Sequence, residues 1–153
     1  IWTSAAPKKF SVTERPGSSQ MVIDSSAFLT ILFGESDAGD FIDALACPGR
    51  KYMSSVNKLE VSIVVESRKG EAGCAALTKL LATAEVETIP FDSGQAEIAM
   101  AAWRRFGKGR HPAGLNLGDC AAYALASTLN DSLLYKGGDF SKTDVASALV
   151  SSR

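Results

Sequence analysis

Four acidic residues fall where short apolar runs end or where a helix begins. Asp24 closes "MVID", Glu60 lies in "SVNKLEVSIVVE" after the run "KYMS", Asp119 opens "NLGDCAAYALASTLN", and Asp139 follows "LLYKGG". Two carboxylates ~4 Å apart repel by roughly 4 kcal/mol at an effective dielectric of about 20. Four brought into one pocket cannot all stay ionised without protons or divalent cations to neutralise them. Oxygen-only ligands favour Mg2+ or Mn2+ over zinc, and such an ion ionises water and stabilises charge building up at phosphorus. Each acid also has a local explanation. Asp24 before two serines reads as the N-cap of a helix, Glu60 as a solvated helix position, and Asp139 after two glycines as a turn residue. Asp119, three residues after Asn116, reads as half of a capping box, with its charge favoured by the helix dipole. No single acid decides between the two readings; their shared placement at one edge of a sheet is what points to a common site.

That placement depends on the elements. "MVID", "KYMS", "VETIPF" and "SLLYK" read as short strands. "SSAFLTILFG", "SDAGDFIDALA", "SVNKLEVSIVVESRKG" up to Gly70, "AGCAALTKLLATA", "DSGQAEIAMAAWRRFG" and "NLGDCAAYALASTLN" carry apolar residues at three- and four-residue steps and read as helices. Asp92 or Ser93 caps the fifth of these and Gly107 stops it. "DVASALV" reads as a short final element. Strands separated by helices predict a single α/β domain, a parallel sheet of four to five strands flanked by helices on both faces. In such a sheet ligands bind outside the carboxyl ends of the strands, where strand order reverses. The four acids all lie near that edge in this reading.

The chain of 153 residues suits one domain with a real core. Its 46% apolar and 22% charged residues place it with ordinary globular proteins. A net charge of −1 gives no bulk signal for a polyanionic partner, so any basic surface must be local. Cys47, Cys74 and Cys120 are odd in number and lack ligand spacing, which argues against zinc and for a reducing compartment. No apolar run approaches the ~18 residues of a membrane span. Residues 1–20, "IWTSAAPKKFSVTERPGSSQ", show neither period and read as a flexible N-terminal extension or vector-derived tail, with Met21 as the natural start. An arm contacting RNA through Lys8, Lys9 and Arg15 is the alternative.

Two further stretches stand out. "WRRFGKGRH" supplies Arg104, Arg105, Lys108 and Arg110 with no acid among them and two glycines to make it mobile. It reads as a phosphate-contacting lip or as a solvated helix end with cations at its negative terminus. Lys136 either reaches the same site or caps the sheet. In "SSAFLTILFG", Phe28, Leu29, Ile31, Leu32 and Phe33 exceed what one buried face needs. That means either two-sided burial or a groove for a partner helix or a second copy.

The segments "MVIDSSAFLTIL", "MSSVNKLEVSIVVESRKG", "FGKGRHPAGLNLGDCAAYALA" and "LLYKGGDFSKTDV" together resemble the PIN-domain ribonucleases, most closely the VapC-type toxins of toxin–antitoxin pairs. The resemblance runs from Met21 to about Ala148, so residues 21–153 are expected to form a PIN-like nuclease domain; the tail has no counterpart. It implies that Asp24, Glu60, Asp119 and Asp139 are the catalytic, metal-binding acids, holding Mg2+ or Mn2+. Ser25 occupies a hydroxyl position of the family, and Ser25 and Asn116 are expected to support the acids. Arg104, Arg105, Lys108 and Arg110 would bind RNA. Tyr135 departs from the Phe common in relatives, outside the catalytic set. The implied function is a cytoplasmic endoribonuclease toxin, a homodimer blocked by a VapB-type antitoxin, that hydrolyses transfer or ribosomal RNA to a 5′-phosphate and a 3′-hydroxyl. One alternative is a catalytically inactive PIN-like module that binds a partner protein or RNA. A haloacid-dehalogenase-type phosphohydrolase would need an acid two residues after Asp24, where Ser26 stands.

Overall fold

The computed structural model describes residues 19–149. In its short strands, successive side chains point to opposite faces, and both faces are apolar, so both must be covered. The strands are β1 (Gln20–Ile23), β2 (Arg50–Ser54), β3 (Val86–Ile89) and β4 (Ser132–Leu134). All pair in parallel, in the order β3-β2-β1-β4. Val22, Tyr52 and Leu133 pack to one side, and Ile23, Met53 and Leu134 to the other. The first face is covered by α4 (Ser93–Phe106) and α5 (Leu117–Leu129). The second is covered by α1 (Ser25–Leu32), α2 (Ala38–Ala46) and α3 (Ser55–Thr83). This is the α/β architecture expected from the alternation of strands and helices.

Within the described residues the final apolar stretch adds no regular strand. Instead Leu133 N–H donates to Ala146 O and Ala148 N–H to Leu133 O, so a single parallel bridge extends the sheet beyond β4. The break expected at Gly70 is present: its φ of 61° and ψ of −153° interrupt α3 and divide it into two arms. A side chain is disfavoured in that left-handed region, and glycine is not. Asp92 caps α4 by accepting from the Gln95 amide, and Gly107 ends it. At the amino end, β1 starts at Gln20, and Ser19 O accepts from Arg50 N–H. The strand pairing thus includes Gln20, one residue before Met21. The reading of the remainder of 1–20 as an extension, and of Lys8, Lys9 and Arg15 as an arm, lies outside the described residues.

The apolar excess in α1 is spent on the core. Phe28 is fully buried, and Leu29, Ile31 and Leu32 pack partly buried around the same cluster. Phe33 lies under the cations of Arg68 and Lys69. Phe28 is thus core, while Leu29, Ile31, Leu32 and Phe33 stay partly exposed; the exposed large apolar side chains are Ile42 on α2 and others on α3, α4 and α5.

Candidate active site

Strand order reverses between β1 and β4, and Asp24 sits there. It follows β1 directly, and its amide donates to Leu134 O, the last residue of β4, at 2.9 Å. It also caps α1, as the local reading allowed: Oδ2 accepts from the Ser26 amide at 3.0 Å and from Ser26 Oγ at 2.6 Å. Ser26 Oγ in turn accepts from Lys136 N–H, so the exit of β4 and the start of α1 meet on one hydroxyl. Asp24 is only 4% exposed. Burial pushes its carboxyl up to about 7, against the two Ser26 hydrogen bonds and with help from the charges of Asp119 and Glu60.

Asp119 reaches the same place from α5. The capping box is complete: Asn116 Oδ1 accepts from Asp119 N–H and Asp119 Oδ2 from Asn116 N–H, both at 2.9 Å. Burial raises the Asp119 carboxyl above the usual range; the Asn116 bond opposes the rise, and Glu60 and Asp139 add to it. Capping the helix and lying within electrostatic reach of Glu60 and Asp139 are thus compatible for this one side chain, where the sequence had presented capping and a shared site as alternatives. Glu60 belongs to α3 and is half-buried. Its carboxylate lies on the bare Cα of Gly118, where a Cβ would overlap it. Asp139 is exposed, just ahead of the 3₁₀ turn Phe140–Lys142, and its side chain caps nothing. The charges therefore couple as a chain, Asp24 to Asp119 and Glu60, and Asp119 to Glu60 and Asp139.

The donor set suits a hard divalent ion: all oxygens, with one buried carboxylate that ionises only at a cost. The cradle that Gly118 leaves for Glu60 fits the same use. As they stand, though, no three acidic, His or Cys side chains among the described residues converge as a ready-made metal group. Asp24 is turned toward Ser26 and Asp119 toward Asn116; were an ion held here, their other carboxylate oxygens would be the ones left to bind it. His111 takes no part; its Nδ1 accepts from Ala113 N–H and its ring packs edge-on against Phe106.

Three residues around the acids carried no signal as site members in the sequence. Asn57, fully buried, donates from Nδ2 to Gly118 O, Ser25 Oγ and, at 3.5 Å, Asp24 Oδ1. Ser26 holds Asp24, and Gly118 makes room for Glu60. The asparagine could have been found only by noting a polar residue one helical turn before Glu60. Ser25 Oγ donates to Asn57 O at 3.2 Å.

The cations behave differently from one another. Arg104 and Arg105 are in α4 rather than on a loop. Arg105 pairs with Asp144 at 3.3 Å and stacks on Phe106, while Arg110 stacks on Trp103. The segment after α4 is stitched down, not slack: Leu115 N–H donates to Phe106 O and Lys108 N–H to Leu115 O. All four cations remain exposed, on a segment whose end leads directly into the Asn116–Asp119 box. Lys136 does not enter the acid group. It pairs with Glu35 and, at 2.8 Å, with Asp37, tying the α1–α2 connection to the glycine turn before Asp139.

Comparison with known proteins agrees with this architecture. The PIN domain model matches residues 21–146. Ribonuclease VapC of Mycolicibacterium smegmatis is 48% identical over 126 residues, covering 82% of this chain and 98% of that protein. Ribonuclease VapC30 of Mycobacterium tuberculosis is 44% identical over 130 residues, covering 85% and 99%. Among solved structures, the M. tuberculosis toxin VapC20, described as cleaving the sarcin–ricin loop, superimposes with a TM-score of 0.69. It does so at 16% identity over 82% of this chain and 96% of that one. VapBC2 from Rickettsia felis, bound to a promoter DNA fragment, gives 0.64 at 15% identity, over 80% and 91%. These last two speak to the fold. With the model match spanning nearly all the described residues and relatives this similar over their full length, the chain belongs to the PIN-domain family, in its VapC ribonuclease branch.

Proposed function

We propose that this chain is the toxin of a toxin–antitoxin pair, an endoribonuclease that hydrolyses RNA with Mg2+ or Mn2+. The observation that carries the reading is Asp24. A carboxylate buried at the switch point of a parallel sheet, with Glu60 and Asp119 opposing its ionisation, is a costly arrangement unless a cation joins it. Asp24, Glu60, Asp119 and Asp139 would hold that ion, which supplies Lewis acidity to activate water and counter-charge for the phosphorus centre. PIN-domain ribonucleases are in general metal-dependent, and the all-oxygen donor set favours Mg2+ or Mn2+. Ser25 and Asn116 keep α1 and α5 seated so that the acids face one another. The substrate is transfer or ribosomal RNA, and a cytoplasmic site of action follows from it.

The partners are a VapB-type antitoxin and a second copy of the chain. Structural neighbours from Klebsiella pneumoniae, Rickettsia felis and Salmonella typhimurium are toxin–antitoxin complexes, which supports the first. For the second, Leu59, Ile63 and Leu117 project into solvent beside Glu60, and Met100 and Trp103 line an adjoining hollow that shares Leu117, itself 79% exposed. An apolar surface of that kind on an otherwise polar exterior supports a protein interface.

The test is incubation of purified protein with structured RNA. Cleavage should require Mn2+ or Mg2+ and stop on adding EDTA, and the products should carry 5′-phosphates. The inactive-module alternative is favoured by the capped, unconverged acids, and it predicts intact RNA at every ion concentration.

The basic segment makes a separate prediction. Neutralising Arg104, Arg105, Lys108 and Arg110 together should weaken RNA binding and flatten its salt dependence. The slope of log K against log salt should fall by about 2, since Arg105 is already paired and each single-strand phosphate contact contributes roughly 0.7. Mn2+ binding should be unchanged. A salt titration with the wild-type slope would leave these residues as ordinary solvated surface.

A further inference from the structure

The three helices that bring acids to the sheet edge meet on one side chain. Asn57 is fully buried two residues into α3. Its amide nitrogen donates to Gly118 O, in the first turn of α5, at 3.0 Å, and to Ser25 Oγ, the first residue of α1, at 3.2 Å. Ser25 Oγ returns a bond to Asn57 O, so α1 and α3 are joined in both directions. Asp24 Oδ1 lies 3.5 Å from the same nitrogen. Each acid is then close along the chain to a clamped atom: Asp24 precedes Ser25, Glu60 is one turn beyond Asn57, and Asp119 follows Gly118.

The other half of the amide is informative. Asn57 Oδ1 is buried without a hydrogen-bond partner. An apolar side chain of similar volume would fill the space but would leave Gly118 O and Ser25 Oγ without this donor. What the apolar residue lacks is a two-proton donor able to reach both Ser25 and Gly118.

We infer that Asn57 is a positioning residue for the acid group: it sets the spacing of Asp24, Glu60 and Asp119 through Ser25 and Gly118, without itself reaching substrate. This rests on the metal-dependent nuclease reading above. It differs from a structural role in what it should move. Losing a spacer leaves the fold but mis-sets the ligands, as supporting residues around metal sites generally do, typically at a cost of about 10–100-fold in affinity or activity.

The experiment compares full-length wild type, Asn57→Leu and Ser25→Ala. Each is followed by Mn2+ titration calorimetry, by metal-free thermal melting and by RNA cleavage at saturating Mn2+. Asn57→Leu should raise the Kd for Mn2+ about tenfold or more and lower kcat by a similar factor, with KM for RNA within about threefold; its metal-free melting curve should stay cooperative but move down, since Gly118 O and Ser25 Oγ lose a buried donor. Ser25→Ala, which removes only one arm of the clamp, should shift Kd and kcat the same way by less, and it carries the test if Asn57→Leu does not fold. A folded variant with wild-type Kd and kcat overturns the inference while leaving the nuclease reading intact. Wild-type protein that neither binds Mn2+ nor cuts RNA removes that reading and this one with it.

Discussion

Asp24→Asn should lower RNA cleavage by roughly 10²–10³ or more and at the same time stabilise the metal-free protein at neutral pH. The two effects come from one carboxylate. Its environment raises the pKa from 3.8 to about 7, chiefly through burial. A native pKa above the unfolded value means the stabilising, protonated form is fully present below about pH 4. It is lost progressively as pH rises toward 7, because the unfolded chain releases this proton first. At ~1.4 kcal/mol per unit, the loss over that window is at most ~4 kcal/mol. Metal-free wild type should therefore melt lower at pH 7.5 than at pH 5, and Mn2+ should reverse the trend by replacing the proton. Asn keeps the N-cap, since its side-chain oxygen still accepts from Ser26 N–H. The variant should lose both the pH slope and the response to Mn2+. Melting curves from pH 5 to 8, with and without ion, check this. A wild-type protein with flat stability across that range would mean Asp24 is not the strained group described.

Gly118→Ala should uncouple activity from stability more cleanly. Alanine in the first turn of α5 is favourable for the helix. Its Cβ, however, would occupy the space taken by the Glu60 carboxylate. Glu60 is half-buried on a flexible stem and can swing into solvent at little cost to the fold. The metal-free melting temperature should stay within a few degrees of wild type, while the Kd for Mn2+ rises about tenfold or more and cleavage falls by about 10–100-fold. Adding Glu60→Gln to Gly118→Ala should then cost little more, because both changes act on the one carboxylate proposed to hold the ion. Full additivity in that double variant would show that Gly118 acts through something other than Glu60.

Much of this molecule was legible in the chain alone because its signals are local. Apolar runs of four or five residues alternating with three- and four-step helical patterns imposed a parallel sheet covered on both sides. Gly70, Asp92 and Gly107 marked breaks and caps that depend on their own backbone and near neighbours. The four acids stood out because the ends of strands and the starts of helices can be read from a few residues. Tertiary structure decided what each of these does to the others. Asn57 lies 61 positions from Gly118 and 32 from Ser25, so nothing in "SVNKLE" marks its clamp. Gly118 is a bland small residue until Glu60 is laid across it. Arg105 looked like a free cation until the chain returned Asp144 beside it, and Phe28 read equally as core or as groove until the fold buried it. Periodicity and caps arise from each residue's own geometry. Burial, pairing and the cost of a carboxylate's charge arise from neighbours that only the folded sheet brings within a few ångströms.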